Sequence, residues 1–504
     1  MLTNKISALI DGLINILSLV KIEKKFISQN LWIIQSVAIW FSSRLLILAG
    51  MLTAKLSIKG WNWYHLDLAN IDWSIFYAWD SGWYQIIVDH GYHYVLNSSN
   101  TEESSIAFFP IYPLIIKLLG YCGVNFLIAG TLVSNIAFLL FIILFYRWIQ
   151  KNYSPKIAYW STICLAYNPV SLYGSVIYPE SIFLLFSLLA LQNYELFSQE
   201  IKCNLKNIKH HEIIKTKGYL AAIFGMLTTA TRLNGIAIAA TFFIDTLIDH
   251  LSTIKTINLA QINLFNQIKN YLTNIRKNFR QNFSVALQIP INKWIISLIT
   301  TGGIAAYIMF CWLNFGNPWV FLLVQNAWRQ GVQDTHWGAI WLYSFNVNFW
   351  GWRNFAAADI VDVTHPIGLI ALIIFAGIWW YYRQKVGVNK ASFWVVASVI
   401  SLWQLTTDTG LTIALPLIST YLLWHYRHKI KRLHWLYSLF GLLVIYASGR
   451  TMSLQRFIFG SVTLPISFGI LFSRYPCLGY ALMTGSAILL FYNSMRWVEH
   501  LWVS

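Results

Sequence analysis

The dominant pattern along this chain is a series of apolar runs of about 20 residues, separated by short polar connections. A run of this length is typical of a transmembrane α-helix, because about 20 residues rising about 1.5 Å each match the thickness of the hydrocarbon core. The pattern predicts single spans near 31–53, 126–148, 157–175, 179–197, 292–314, 366–382, 391–407, 410–426, 433–448, 455–473 and 477–496.

One apolar stretch, 219–247, breaks the alternation because basic loops flank it on both sides. A single crossing would put Lys and Arg on both faces of the membrane, against the positive-inside rule. The stretch also carries Arg232 near its middle, within Thr231-Arg232-Leu233-Asn234-Gly235. Charge and irregular backbone at membrane depth are tolerated where they are buried in protein or line a cavity. We therefore predict two short helices meeting at Arg232, which brings the expected total to about 11–13 transmembrane helices.

The polar segments between the spans predict the rest of the organisation. We expect one transmembrane domain over 31–504, preceded by a cytoplasmic segment without a cleavage site for a signal peptidase. Within this domain we expect a first outer loop at 54–106, a short interfacial piece at 106–121, a basic amphipathic segment on the inner surface at 248–290, with a helix at 254–286, and a second outer loop at 315–365.

Composition and charge agree with a membrane protein. The 504 residues are 57% hydrophobic and only 11% charged, whereas soluble domains carry about 25% charged residues. The net charge of +17 does not indicate nucleic-acid binding, because the Lys and Arg residues fall in particular loops between spans. Basic loops beside a bilayer attract anionic membrane lipids instead. The five cysteines show neither a CxxC pair nor a metal-ligand spacing, so no metal site is expected.

The first outer loop contains the strongest candidate for catalysis, Asp80. It stands among Trp79, Trp83 and Tyr84, whose rings suit stacking on a sugar, and Gly82 allows close backbone approach. A carboxylate in such a place can act as the general base that deprotonates an attacking hydroxyl. The alternative is a solvated loop acid, since the same loop carries several others.

Three further charged residues are candidates for substrate contacts. Glu180 follows Tyr178-Pro179, where an acid at a helix N-terminus is also favourable for purely structural reasons. Arg232 lies at membrane depth, which is costly without a function or a partner. Arg456 lies beside an apolar run, where snorkelling to headgroups is the structural alternative. A guanidinium pairs bidentately with phosphate and can stabilise charge on a leaving phosphate.

These residues also form blocks that resemble a known family, the PIG-V-like mannosyltransferases. The blocks are Trp79-Asp80-Ser81-Gly82-Trp83-Tyr84, Gly91-Tyr92, Ala107-Phe108-Phe109-Pro110-Ile111-Tyr112-Pro113, Asn168-Pro169, Tyr178-Pro179-Glu180-Ser181, Thr231-Arg232-Leu233-Asn234-Gly235 and Gln455-Arg456-Phe457. The resemblance spans roughly 31–475 and departs from the family at Pro179, where Ser or Thr is common.

The resemblance implies a GT-C glycosyltransferase fold and inverting transfer of a hexose, usually mannose, without a metal or other cofactor. The implied donor is a polyprenyl-phosphate sugar. A glycan or glycolipid is the expected acceptor, and the sequence leaves a lipid, a polysaccharide and a protein open as alternatives. Asp80 would be the general base. The residues implied to bind substrate are Trp79, Trp83, Tyr84, Asn168, Glu180, Arg232, Asn234, Gln455 and Arg456.

Two other functions stay open at this point. A transporter or flippase of lipid-linked sugars would share the many spans and the arginine at membrane depth, although no internal repeat is visible. A non-catalytic scaffold subunit would share the fold. We expect the active face to point outward, and a bacterial plasma membrane is preferred over the lumen of the endoplasmic reticulum because no retention tail is visible.

Overall fold

A computed structural model of the protein describes residues 30–56, 73–94, 103–204, 211–253, 291–325, 339–448 and 453–503. Every regular element in these ranges is helical. The helices are α1 (Asn30–Leu56), α2 (Ser81–His90), α3 (Ile111–Tyr121), α4 (Phe126–Asn152), α5 (Pro155–Ala166), α6 (Glu180–Asn204), α7 (His211–Thr229), α8 (Ile236–Thr253), α9 (Ile291–Thr300), α10 (Gly302–Phe315), α11 (Val320–Leu323), α12 (Ala339–Trp350), α13 (Trp352–Ala357), α14 (Thr364–Tyr381), α15 (Arg383–Val386), α16 (Val388–His425), α17 (Arg432–Ala447), α18 (Leu454–Phe459), α19 (Pro465–Arg474) and α20 (Pro476–Val498).

Four of the described helices are long and apolar enough to cross a membrane: α1, α4, α6 and α14. The consecutive helices α9 and α10 meet at 43° and together make a fifth candidate. The chain thus has the features of a multi-pass helical membrane protein. The larger total of 11–13 spans stays a prediction.

The predicted boundary near Asp408 is wrong. Instead of two spans at 391–407 and 410–426, the chain forms one helix, α16, of 38 residues. The polar residues between the two apolar runs include Gly410, which costs only about 1 kcal/mol in a helix interior. Nothing there forces the chain to leave the helix, and Pro416 is also accommodated within it.

The polar segments also contain more helix than predicted. The expected outer loop at 315–365 includes α11, α12 and α13, and α2 lies within the expected loop at 54–106. The span expected at 157–175 is helical as α5 only to Ala166, and the span at 455–473 divides into α18 and α19. Pro465 favours that division because it begins α19, where its missing N–H costs nothing. The amphipathic helix expected at 254–286 lies outside the described residues.

The break predicted around Arg232 is present. The helix α7 ends at Thr229, Arg232 is extended (φ −156°, ψ 151°), and α8 begins at Ile236 after a single 3-10 turn. The turn needs Gly235, because a Cβ there would lie 2.6 Å from the carbonyl oxygen of Thr228. The two helices therefore meet at a break, and Arg232 lies there next to Glu180 at the start of α6.

The interior is centred on α4, which packs against α3, α5 and α6, while α6 packs against α7. Phe138, Phe141 and Phe145 of α4 are fully buried, and their rings form a continuous row. Gly225 meets Thr300 where α7 contacts α9. Small residues at such contacts allow two helices to approach closely, as is common in membrane bundles.

One end of this bundle is held by an ion-pair network that we call the α8–α9–α17 cluster: Asp245 and Asp249 of α8, Lys293 of α9 and Arg432 of α17. Lys293 Nζ lies 2.6 Å from Asp249, and Arg432 lies 2.7 Å from Asp245 and 2.6 Å from Asp249. Burial raises the pKa of Asp249, but Lys293 and Arg432 outweigh burial and hold it at about 2. The successive helices α8 and α9 are thereby joined at one end to α17, which lies far from them in sequence.

Replacement of Lys293 should destabilise the protein, since its side chain is only 2% exposed and its removal leaves buried carboxylates under-compensated. We expect Lys293→Met to lower the free energy of unfolding by roughly 3–5 kcal/mol, the usual cost of breaking a buried pair. Equilibrium unfolding in detergent micelles measures this. The matched control is Lys390→Met, because Lys390 is exposed. Equal stability of the two variants would contradict a structural role for the cluster.

Candidate active site

Asp80 is the residue immediately before α2, the position called the N-cap. Aspartate is favoured at that position because its carboxylate can accept hydrogen bonds from the first free N–H groups of the helix. Here the Asp80 side chain makes no such bond. Its Oδ2 instead accepts a hydrogen bond from Nη1 of Arg456 at 2.9 Å. The cap residue therefore directs its charge away from its own helix and toward a distant arginine.

Arg456 lies on the short helix α18 and contacts two acids. Besides Asp80, its Nε lies 3.2 Å from Oε1 of Glu180, an ion-pair contact whose angle is not that of a hydrogen bond. Glu180 is the first residue of α6, so the positive end of that helix also favours its charge. One guanidinium thus joins the N-termini of α2 and α6.

Glu180 in turn pairs with Arg232, whose Nη1 donates to Oε1. The four side chains form a continuous series of alternating charges in the order Arg232, Glu180, Arg456 and Asp80, which we call the four-charge chain. Its two cations and two anions balance. The Glu180 side chain is 1% exposed and the two arginines are 12% exposed each, whereas Asp80 is 19% exposed. Asp80 is therefore the member most open to a ligand.

Aromatic rings surround the arginines of the four-charge chain. The Arg456 guanidinium lies 5.3 Å from the ring centroids of both Tyr173 and Tyr178, and Phe457 lies 5.5 Å from Arg232. Such cation–π contacts stabilise a cation that has left water. Tyr178 also positions the acid, because its hydroxyl accepts a hydrogen bond from the Asp80 backbone N–H at 3.0 Å.

One acceptor atom in this site has no hydrogen-bond partner in the described part of the chain. Oε2 of Glu180 is buried, and no described residue donates a hydrogen bond to it. A buried carboxylate oxygen without a donor is costly unless a ligand or water satisfies it. A substrate hydroxyl is a suitable donor for this atom.

The three aromatic residues beside Asp80, in the block that runs from Trp79 to Tyr84, have different environments. Trp79 is 43% exposed and adopts a left-handed backbone conformation (φ 53°). Trp83 stacks on Phe108. Tyr84 is buried and touches Phe108 and two tyrosines edge-on. Tyr84 is thus held within the core of the protein, and its contact with a sugar stays a prediction.

Asn168 and Gln455, predicted to bind substrate, have other partners. The Asn168 side chain accepts from the N–H of Val170 at 3.1 Å and shapes the turn after α5. The Gln455 amide donates to the Thr412 hydroxyl at 3.1 Å and joins α18 to α16. Both side chains are thus engaged in local structure rather than in the four-charge chain. Asn234 lies half-buried in the turn next to Arg232.

Arg44, a buried arginine in the middle of α1, is not among the residues predicted from the sequence. Its guanidinium donates to the Ser171 carbonyl at 3.0 Å, to the Ser171 and Ser175 hydroxyls and to the Ala166 carbonyl, and it lies over the ring of Phe138. It fixes the loop that carries Tyr173. Arg44 could have been predicted from the sequence, because it is a charge within an apolar span, the same feature that identified Arg232. Among the described residues, no cluster of three or more His, Cys, Asp or Glu side chains has the arrangement of a metal site.

No family model matches the chain, and no curated protein matches it. It is similar to solved structures of an oligosaccharyltransferase from Archaeoglobus fulgidus. The apo form has 13% identity and a TM-score of 0.43, with 92% of this chain and 57% of that chain covered. The complex with zinc and sulfate has 11% identity, coverages of 90% and 53% and a TM-score of 0.41. The AglB complex with an inhibitory peptide and a dolichol-phosphate has 12% identity, coverages of 92% and 56% and a TM-score of 0.41. This chain therefore spans little more than half the length of the structures it matches.

The pairing of Arg232 with Glu180 is testable by a double-mutant cycle. We expect Arg232→Met and Glu180→Gln each to lower the free energy of unfolding by roughly 3 kcal/mol or more, because each leaves the opposite charge of the pair less well compensated. The double variant should lose less than the sum, with a coupling of roughly 1–3 kcal/mol. Exposed Lys151→Met serves as the control for loss of a cation. Strict additivity would show that the two side chains do not interact.

Proposed function

We propose that this protein is a membrane glycosyltransferase of the GT-C type, related to the PIG-V-like family that its motifs resemble. It transfers a hexose, mannose by that resemblance, from a polyprenyl-phosphate donor to an acceptor hydroxyl at the outer face of a bacterial plasma membrane. The observation that supports this proposal best is the four-charge chain. It places an accessible carboxylate, Asp80, directly against a guanidinium, Arg456, that can bind phosphate.

The donor phosphate binds at Arg456 and Arg232 in this proposal. Guanidinium groups match phosphate oxygens in geometry and charge. Both arginines are already paired with carboxylates, so an incoming phosphate competes with those carboxylates for the N–H groups. Asp80 is displaced more readily than Glu180, because it is the more exposed of the two acids. The polyprenyl tail extends along the apolar helix surfaces.

The transfer is a single displacement. Asp80 accepts the proton of the acceptor hydroxyl, and the acceptor oxygen attacks the anomeric carbon of the donor. The bond from that carbon to the phosphate oxygen breaks with its electron pair, leaving polyprenyl phosphate. Arg456 and Arg232 stabilise the charge on the leaving phosphate. Glu180 holds both arginines, and its Oε2, to which no described residue donates, accepts a hydrogen bond from a sugar hydroxyl. Displacement from the opposite face inverts the anomeric configuration.

Replacement of the base should abolish transfer. We expect Asp80→Asn to lower the transfer rate at least 100-fold, about the contribution of a general base. The measurement is transfer from radiolabelled polyprenyl-phosphate mannose into a membrane lipid and glycan extract by purified protein. Asp89→Asn is the matched control, because Asp89 is an exposed acid on α2, the helix that Asp80 precedes.

Two results would contradict the proposal. Near wild-type transfer by Asp80→Asn would exclude Asp80 as the base. Absence of transfer by the wild-type protein, together with movement of the lipid-linked sugar across liposome membranes, would favour the flippase.

A further inference from the structure

The C-terminal segment 499–503 lies against Trp79, the neighbour of Asp80 in sequence, and against Tyr173. Trp502 packs edge-on against Trp79, with 5.3 Å between their ring centroids. Trp79 is the residue directly before Asp80, although more than 400 positions separate it from Trp502. The packing therefore brings an aromatic side chain that no sequence motif includes to the residue next to the candidate base.

The C-terminal segment is fixed in place by contacts on both sides. Just before the segment, at the end of α20, the Trp497 indole N–H donates to the carbonyl of Ile75 at 3.1 Å, and within the segment the Leu501 N–H donates to the Arg496 carbonyl at 2.9 Å. The carbonyl of Val503 accepts from the Tyr173 hydroxyl at 2.5 Å. Tyr173 also lies over Arg456. The segment is thus connected to the arginine of the site and not only to Trp79.

The conformation of Trp79 is unusual for a tryptophan. Its φ of 53° is in the left-handed region, which is unfavourable for a bulky residue and rare outside glycine, asparagine and aspartate. Strained residues of this kind concentrate at functional sites. The conformation leaves 43% of the side chain exposed beside the most accessible acid of the site. Packing inside the protein does not by itself explain why a tryptophan in a left-handed conformation is left partly exposed here.

We infer that Trp79 and Trp502 form a subsite that binds a pyranose ring of the acceptor. The inference rests on the proposed function and narrows it, because it makes the acceptor a sugar rather than a lipid alcohol or a protein side chain. An indole presents a broad flat apolar face, which suits the C–H face of a pyranose. A ring held there has its hydroxyls next to Asp80, which can accept a proton from one of them. Trp502 acts as a binding residue.

Binding of saccharides tests the subsite without requiring transfer. The probes are disaccharides of mannose, glucose and galactose, with binding to purified protein measured by equilibrium dialysis at millimolar concentrations. We expect Trp502→Ala to weaken binding about tenfold, because it removes a large aromatic contact surface. Trp502→Phe should retain part of the affinity. Trp312→Ala is the matched control, since Trp312 is 60% exposed on α10. Thermal unfolding of each variant establishes that it is folded.

The results separate the subsite from the proposed reaction. Asp80→Asn should still bind the disaccharide, since the aromatic pair is intact. In transfer assays Trp502→Ala should raise the KM for a sugar acceptor while the KM for the donor stays unchanged. If Asp80-dependent transfer occurs but Trp502→Ala binds disaccharide as the wild type does, the proposed subsite is contradicted and the proposed reaction is supported. If the disaccharide binds through Trp502 but no transfer occurs, the proposed reaction is contradicted and the proposed subsite is supported. No binding of any disaccharide to the wild-type protein would overturn the subsite.

Discussion

The site depends on charge neutrality within the buried four-charge chain. A guanidinium removed from water is costly unless an anion and hydrogen-bond acceptors replace its hydration. Glu180 supplies that anion to two arginines at once, and Asp80 supplies the second negative charge. Each member is therefore needed by its neighbours. This requirement brings together the start of α2, the start of α6, the break before α8 and the short helix α18.

The aromatic rings around Arg456 and Arg232 hold these paired charges in a defined geometry. Tyr178 is central, because its ring lies against the Arg456 guanidinium and its hydroxyl accepts a hydrogen bond from the backbone N–H of Asp80. Tyr173 extends the same arrangement to the end of the chain through Val503. Arg44 holds the turn from which Tyr173 projects. Removal of any of these side chains would disturb the positions of Asp80 and Arg456 together, although none of them takes the proton or binds the phosphate in the proposed reaction.

The sequence predicted the parts of this site that depend on local signals. Arg232 was recognisable because a charge interrupts an apolar stretch, and Asp80 because it lies in an aromatic motif. The pairing of Asp80 with Arg456 joins positions 376 residues apart, and the contact of Tyr173 with Val503 joins positions 330 apart. Hydrophobic patterning specifies which residues are apolar but not which helices meet. It also failed at Asp408, since one acid and a glycine do not interrupt a helix as a proline–glycine turn does.

The neutrality of the site has a consequence for the order of events in the proposed reaction. Two cations balanced by two anions leave no net positive charge to attract a phosphate, so donor binding has to break an internal pair. The bond from Arg456 to Asp80 is the one to break, because water can reach Asp80 but hardly reaches Glu180. While Oδ2 of Asp80 accepts the hydrogen bond from Arg456, that oxygen is not free to receive the proton of an acceptor hydroxyl. Arrival of the donor phosphate would therefore release Asp80 as a base only when the donor is in place. In this scheme, the same interaction that stabilises the buried arginine keeps the base inactive until there is a sugar to transfer.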